Sequence, residues 1–254
     1  MDGEINIGKK ETVAELNGLA PDRVRSRRIY ANKKTDLAFL SDYPEVEELF
    51  LRGDFTDITG VNELHRLKKL VMYLALPVDF SGIHCDALEN LSANCVVDDT
   101  FPAFFTGHLR ELELNGIKKL KDLSFLEQAE GLRKLYLNGL PGVEALPDFR
   151  RLPNIFALNI YELHKLENIH SLKDSGVEYL GFTLAADKLS GTKIAEVLLA
   201  MKRLKGAYMV YMDRSNIRRY NVLENKLKKE GKADLLDYQM NYGDWKNLQT
   251  EMEK

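Results

Sequence analysis

The chain is poor in cysteine, with 2 among 254 residues, Cys85 and Cys95. They form neither a C-x-x-C pair nor a zinc-binding set, so no disulfide scaffold or structural zinc site organises the fold, and both thiols are expected to be reduced. Long apolar runs are also missing, and no stretch approaches the roughly 20 residues that a membrane helix needs. Nor is positive charge in excess. The 36 lysines and arginines stand against 39 aspartates and glutamates, a formal net charge of -3, whereas a nucleic-acid surface carries a basic footprint. Neither membrane nor nucleic acid is therefore expected as a partner. The amino terminus, MDGEINIGKKETVAEL, has acidic and polar residues where a signal peptide has a positive end and an apolar run. The expected localisation is cytoplasmic.

Catalytic signatures are equally scarce. The sequence has no G-x-S-x-G, no Walker loop and no H-E-x-x-H. His164 and His170 flank KLENI and read as surface residues, and Cys85 beside His84 makes a poor nucleophile pair because neighbours on an extended chain point apart. No enzyme activity, cofactor or metal is expected.

What the sequence has instead is a rhythm. DLAFLSDYPEVEELFL, from Asp36 to Leu51, aligns without a gap to DLSFLEQAEGLRKLYL, from Asp122 to Leu137. The pattern L-x-x-L-x-L starts at Val24, Val46, Leu67, Leu88, Leu109, Leu132, Ile155 and Val177, with steps of 22, 21, 21, 21, 23, 23 and 22 residues. Neither the 3.6-residue period of a helix nor the 2-residue period of a strand covers a whole unit, so each unit must turn a corner. In LRKLYL the pleat sends Leu135 and Leu137 inward and Tyr136 outward. Asn138 and Gly139 then tolerate the bend, and the step of three in Leu140, Val143, Leu146, Phe149 and Leu152 suits extended or 3₁₀ turns. Four return segments open on an aspartate, Asp36, Asp57, Asp79 and Asp122, placed to cap a helical turn.

A period in the low twenties with this motif resembles the short-repeat class of leucine-rich-repeat proteins, found in bacterial internalins and in a regulatory subunit of the type-one protein phosphatase. The resemblance covers about Val24 to Tyr211 and implies an α/β solenoid. Such a horseshoe has a parallel concave β-sheet, short turns or 3₁₀ segments on the convex side, and caps at both ends. At the ninth position, where many members place an inward asparagine, this chain has Ile117, Leu140 and Leu163, with Asp54 the nearest polar counterpart. Apolar packing is therefore expected in place of an amide ladder.

The expected organisation is an N-terminal cap over residues 1–23, repeats over 24–212 with a last atypical rung near 204, and a helical C-terminal cap and tail over 213–254. Val13, Leu16 and Leu19 offer the first cap an apolar face. In TKIAEVLLAMKRLKG the apolar spacing predicts a helix with Thr192 as N-cap and Gly206 as its stop, followed by a strand in AYMVYM. SNIRRYNVLENKLKKEG predicts a second helix with Ile217, Tyr220, Leu223 and Leu227 on its apolar face. Trp245, Tyr238 and Tyr242 read as cap packing, and the basic run PDRVRSRR as a solvated face of the first rung.

Function must then come from the outward strand positions, the second, third, fifth and seventh of each unit. The fifth column reads Arg28, Phe50, Val71, Ser92, Glu113, Tyr136, Asn159, Gly181, and the seventh reads Tyr30, Arg52, Tyr73, Asn94, Asn115, Asn138, Tyr161, Thr183. Aromatic and arginine side chains are what protein interfaces enrich. The candidate binding residues are Arg28, Tyr30, Phe50, Arg52, Tyr73, Glu113, Tyr136, Asn138, Asn159 and Tyr161, and the expected partner is another protein. With the resemblance, this implies a bacterial, non-catalytic recognition module. Two sharper versions stay open, an immunity or antitoxin-like protein and a phosphatase-regulator-like inhibitor, as does an enzyme with a site around Asp213, Asp244 and Trp245. The inward and outward assignments are testable. Leu135→Ala is expected to lose about 2–5 kcal/mol in urea denaturation, whereas Tyr136→Ala and Phe50→Ala change stability little, and equal losses would overturn the register.

Overall fold

The structure is a computed structural model that describes residues 2–7, 21–96, 108–184, 188–210 and 214–238. Each L-x-x-L-x-L motif forms one short strand, and successive strands pair in parallel and in register. These are β2 (Ser26–Thr35), β3 (Glu48–Phe55), β4 (Lys69–Leu74), β5 (Asn90–Cys95), β6 (Glu111–Asn115), β7 (Lys134–Asn138), β8 (Ala157–Tyr161) and β9 (Tyr179–Thr183). Before them comes β1 (Asp2–Ile7), and after them β10 (Gly206–Val210), so the described residues make one ten-stranded sheet in sequence order. This is the leucine-rich-repeat solenoid that the repeats imply. No described helix is long and apolar enough to cross a membrane.

One rung shows why the pattern folds this way. Leu132, Leu135, Leu137, Leu140 and Val143 are fully buried, and Tyr136 between two of them is half-buried on the opposite face. Each fully buried leucine contributes about 1.5–3 kcal/mol relative to an exposed one, but only if the adjacent rungs close the top and bottom of its pocket. The step of three continues the same core, since Leu146, Phe149 and Leu152 are buried as well. Ile117, Leu140 and Leu163 at the ninth position are likewise buried, so apolar contact replaces an amide ladder. At Asp54 the pattern slips by one, and Phe55 takes the interior place where β2 and β3 lose register.

The four aspartates do bind the turn backbone, in a different way from that expected. Each Oδ1 accepts the N–H two residues on: Ala38 at 3.2 Å, Thr59 at 2.7 Å, Ser81 at 2.8 Å and Ser124 at 2.9 Å. For Asp36, Asp57 and Asp122 the helical N-cap position falls on the following residue, Leu37, Ile58 or Leu123, whose apolar side chain is buried. The carboxylates thus close Asx turns just ahead of the 3₁₀ helices. Asp148 is a true N-cap, accepting from the Arg150 N–H at 3.1 Å, and Asn168 makes the Asx contact to the His170 N–H at 2.9 Å.

The ends depart further from expectation. The leading element is a strand, β1, paired with β2 from Asp2↔Ser26 to Ile7↔Ala31, while Val13, Leu16 and Leu19 lie outside the described residues. The helix α1 (Gly191–Ala200) is capped by Ser190, which accepts from the Lys193 N–H at 3.2 Å, so Thr192 is not the cap. It stops at Met201, and Gly206 instead opens β10. The second helix, α2 (Arg214–Lys229), buries Leu223 and Leu227, but Ile217 is 41% exposed and Asn216 takes the inward place. At Gly191 a Cβ would lie 2.2 Å from the Arg219 carbonyl oxygen, so only glycine lets the two helices come this close.

The basic run at the first rung is only partly solvated. Arg28 is exposed, but Arg27 fills the core position that leucine holds in other rungs and is 2% exposed. Its guanidinium lies 4.6 Å from the centre of the Tyr43 ring, and its Nε and Nη2 find no acceptor among the described residues. A buried unsatisfied donor costs about 1–3 kcal/mol. Arg27→Leu, which restores the repeat pattern, is therefore expected to leave the urea midpoint unchanged or raise it, and a clear fall would show that the guanidinium has a stabilising partner.

Candidate functional site

The register converts sequence positions into columns on the concave face. Arg28 stands opposite Phe50, Phe50 opposite Val71, Val71 opposite Ser92, Ser92 opposite Glu113, Glu113 opposite Tyr136, and Tyr136 opposite Asn159. In the seventh column Tyr30 stands opposite Arg52 and Arg52 opposite Tyr73, while Asn115 stands opposite Asn138 and Asn138 opposite Tyr161. Phe50 sits diagonally between the two tyrosines, with ring centroids 5.7 Å from Tyr30 and 5.7 Å from Tyr73. These tilted contacts hold three rings as one ridge. Arg28, Arg52 and Tyr73 are exposed, and Tyr30 and Phe50 are half-buried.

A second ridge begins three strands on, where Tyr136 and Tyr161 pack at 5.5 Å. Between the ridges lies a polar trough of about 470 Å³, lined by Tyr73, Asn94, Glu113, Asn115, Asn138 and Tyr136, with Glu162 at its rim. The Ser92 hydroxyl donates to Glu113 Oε2 at 3.1 Å, and Asn138 Nδ2 donates to Asn115 Oδ1 at 3.3 Å. Three strands end here in left-handed backbone, at Gly116 (φ 65°), Gly139 (φ 61°) and Glu162 (φ 53°). Each of these residues donates its N–H to the next rung: Gly116 to the Asn138 carbonyl at 2.9 Å, Gly139 to the Tyr161 carbonyl at 3.0 Å, and Glu162 to Thr183 Oγ1 at 2.8 Å. The Tyr136 hydroxyl is held above the ordinary tyrosine range, first by burial and then by the negative charges of Glu113 and Glu162.

Toward the carboxyl end the face closes. Asn159, a candidate contact from the sequence, is 2% exposed, and its Oδ1 has no hydrogen-bond partner among the described residues. It lies over Gly181, where a Cβ would come within 1.9 Å of Oδ1 and 2.8 Å of the Tyr161 hydroxyl. Asn159 is therefore corrected to a buried position. Burial, and then Tyr136 and Tyr208, push the Tyr161 hydroxyl up to about 12. Beside it, Phe156 and Ala157 form a separate apolar cluster with Tyr136, Tyr179, Tyr208 and Tyr238. Tyr238, beyond α2, packs its ring 5.0 Å from Tyr179 and fills the space over Gly206. The tail aromatic thus covers the last rungs of the concave sheet. A signal for this cluster existed in the sequence: at the second and third positions, charged pairs such as Arg110 and Glu111 give way to Phe156 and Ala157.

The second and third columns are mostly engaged with each other. Lys68 pairs with Glu47 at 3.1 Å, and Glu178 accepts from Arg203 at 2.8 Å and forms an ion pair with Lys205 at 2.7 Å. Burial pushes the Glu178 carboxyl up, but the two cations outweigh it and hold the group below the usual range. Lys134, 2% exposed, lies 3.1 Å from Glu111 on the neighbouring strand. A larger cleft of about 770 Å³ runs along this edge, with Arg110, Arg133 and Arg203 set among Asp86, Glu89 and Glu178. Its mixed charges favour no single ligand sign.

Among the described residues no three His, Cys, Asp or Glu side chains stand close enough to hold a metal ion. His164 and His170 are exposed, and Asp213, Asp244 and Trp245 lie outside the described residues.

Searched against protein-family models, the chain matches none. It is 27% identical over 194 residues to the disease resistance protein RPP4 of Arabidopsis thaliana, covering 71% of this chain and 16% of that protein. A leucine-rich-repeat protein of Leptospira interrogans superposes with a TM-score of 0.51 at 16% identity, over 85% of this chain and 55% of the other. Internalin C2 of Listeria monocytogenes gives a TM-score of 0.37 at 13% identity, over 70% of this chain and 78% of the other. The chain thus spans about half of the Leptospira protein and a small part of the plant one, and the first superposition agrees with the leucine-rich-repeat fold.

The two thiols can be tested directly. Cys85 and Cys95 are buried, and burial pushes both up to about 12, with Asp86 adding to the effect at Cys85. Iodoacetamide at pH 8 is expected to leave both unlabelled in the folded protein and to label both in urea, as followed by intact mass, because the thiolate is the reactive form.

Proposed function

We propose that the chain is a protein-recognition module that binds another protein on the open part of its concave face and uses no catalytic group of its own. The observation that carries the reading is the ridge of Tyr30, Phe50 and Tyr73 with Arg28 and Arg52 exposed beside it. Rings locked against one another lose little further freedom on binding, so less of the contact energy is consumed in ordering side chains. Tyrosine adds a polar tip to a large apolar area, and arginine adds planar donors, the combination that dominates interface energetics. The parallel sheet holds these groups on rigid strands.

The usable surface runs from β2 to about β7, because Tyr238 and its neighbours cover the far end. Arg28, Tyr30, Phe50, Arg52, Tyr73, Glu113, Tyr136 and Asn138 remain the contact residues of this reading. Tyr161 supports Tyr136 from behind, and Asn159 is withdrawn.

The test compares affinity capture from a lysate of the source cells by wild type and by the triple variant Phe50→Ala, Tyr73→Ala, Tyr136→Ala, with circular dichroism showing both folded. A protein retained by wild type and lost by the variant is expected. Retention of the same proteins by both, or of none by either, would overturn the concave face as the binding surface.

A further inference from the structure

We infer that the first rung is a conformational switch: β2 detaches from β3 as a unit while the later rungs stay folded, and the buried guanidinium of Arg27 promotes this opening. The coupling to binding rests on the recognition function above, because β2 carries one end of the aromatic ridge. In the next three strands leucine holds the same place, since Arg27 stands opposite Leu49, Leu49 opposite Leu70 and Leu70 opposite Leu91.

The side chain sets the direction of the effect. Arg27 is 2% exposed, and its Nε and Nη2 reach no acceptor among the described residues. Its guanidinium lies 4.6 Å from the centre of the Tyr43 ring. A ring face offsets part of the cost of burying a charge, whereas water would satisfy every donor. The closed rung therefore holds a group that the open rung solvates. Leucine at this place has the opposite preference, because opening exposes its apolar surface.

Place in the stack makes the opening local. Releasing an internal rung breaks an interface on each side, whereas β2 and β1 leave by breaking one. The ladder from Ser26↔Glu48 to Ala31↔Gly53 is unbroken, so these pairs part together. Two strands alone make no stable sheet, and the released rung unfolds. Opening takes Arg28 and Tyr30 off the concave face and leaves a ridge of two rings, Phe50 and Tyr73. A partner that touches Tyr30 and Phe50 together binds only the closed rung, and its affinity falls with the closed fraction. Binding and closure are then one equilibrium.

The experiment measures amide hydrogen exchange by NMR in the full chain, for wild type, Arg27→Leu and Arg27→Met, with Leu135 and Leu137 of β7 as the internal reference. In wild type Ile29 and Ala31 are expected to exchange about a hundredfold faster than the reference. Each variant is expected to slow Ile29 and Ala31 about tenfold or more and to leave Leu135 and Leu137 unchanged. Equal exchange in β2 and β7 of wild type, no slowing in either variant, or equal slowing in β7 would overturn the switch. Failure of both variants to fold would overturn it too, since the guanidinium would then be holding the rung closed. In the capture assay Arg27→Leu is expected to retain about twofold or more of the protein that the ring variant loses, and equal or smaller retention would overturn the coupling to binding. Exchange requires no partner. A failed capture therefore removes the recognition reading and its coupling, while the opening stands or falls on the exchange rates alone.

Discussion

The structure depends on one constraint: no rung can bury its own leucines. A strand and a return turn make a layer one residue thick, so Leu135 or Leu137 is sheltered only when Leu112 and Leu114 lie on one side and Leu158 and Ile160 on the other. The parallel backbone ladder supplies this alignment by holding each rung in register with the next. Burial and hydrogen bonding therefore enforce the same spacing, and a rung that drifted by one residue would turn its leucines to solvent.

That same alignment builds the outer face. Once rungs are in register, a position in the repeat becomes a column in space, and side chains distant in sequence meet across strands. The Tyr30, Phe50 and Tyr73 ridge is a product of this geometry, since the fifth and seventh columns interleave diagonally. So is the trough, which Glu113 and Glu162 line from different rungs. The ends obey another rule. They lack one neighbour, so α1 and α2 cover the last core rung, and Tyr238 reaches round to cover Gly206 on the concave side.

Much of this was legible in the sequence because periodicity and burial have one cause. The inward residues from Leu132 to Leu152 follow from the step pattern, and the fifth and seventh columns follow from adding the pleat. Reading failed where one side chain breaks the rhythm. Arg27 occupies a leucine position, and composition alone reads a charged residue as solvated. Helix ends were misplaced for a related reason: Ser190 and Thr192 both suit an N-cap, and only the backbone decides between them. The strand β1 carries no L-x-x-L-x-L motif, so nothing in the period announced it.

The sequence by itself determined the solenoid, the order of its rungs and the columns on its face, because in-register stacking is the one arrangement that buries every repeated leucine. Only the tertiary structure decided which column residues remain open. Asn159 belongs to the fifth column by register but is sealed, Tyr161 is half-closed, and Tyr238 packs against the last rungs. Exposure depends on how the sheet curves and where a later segment returns, and neither is written in the spacing of a single repeat.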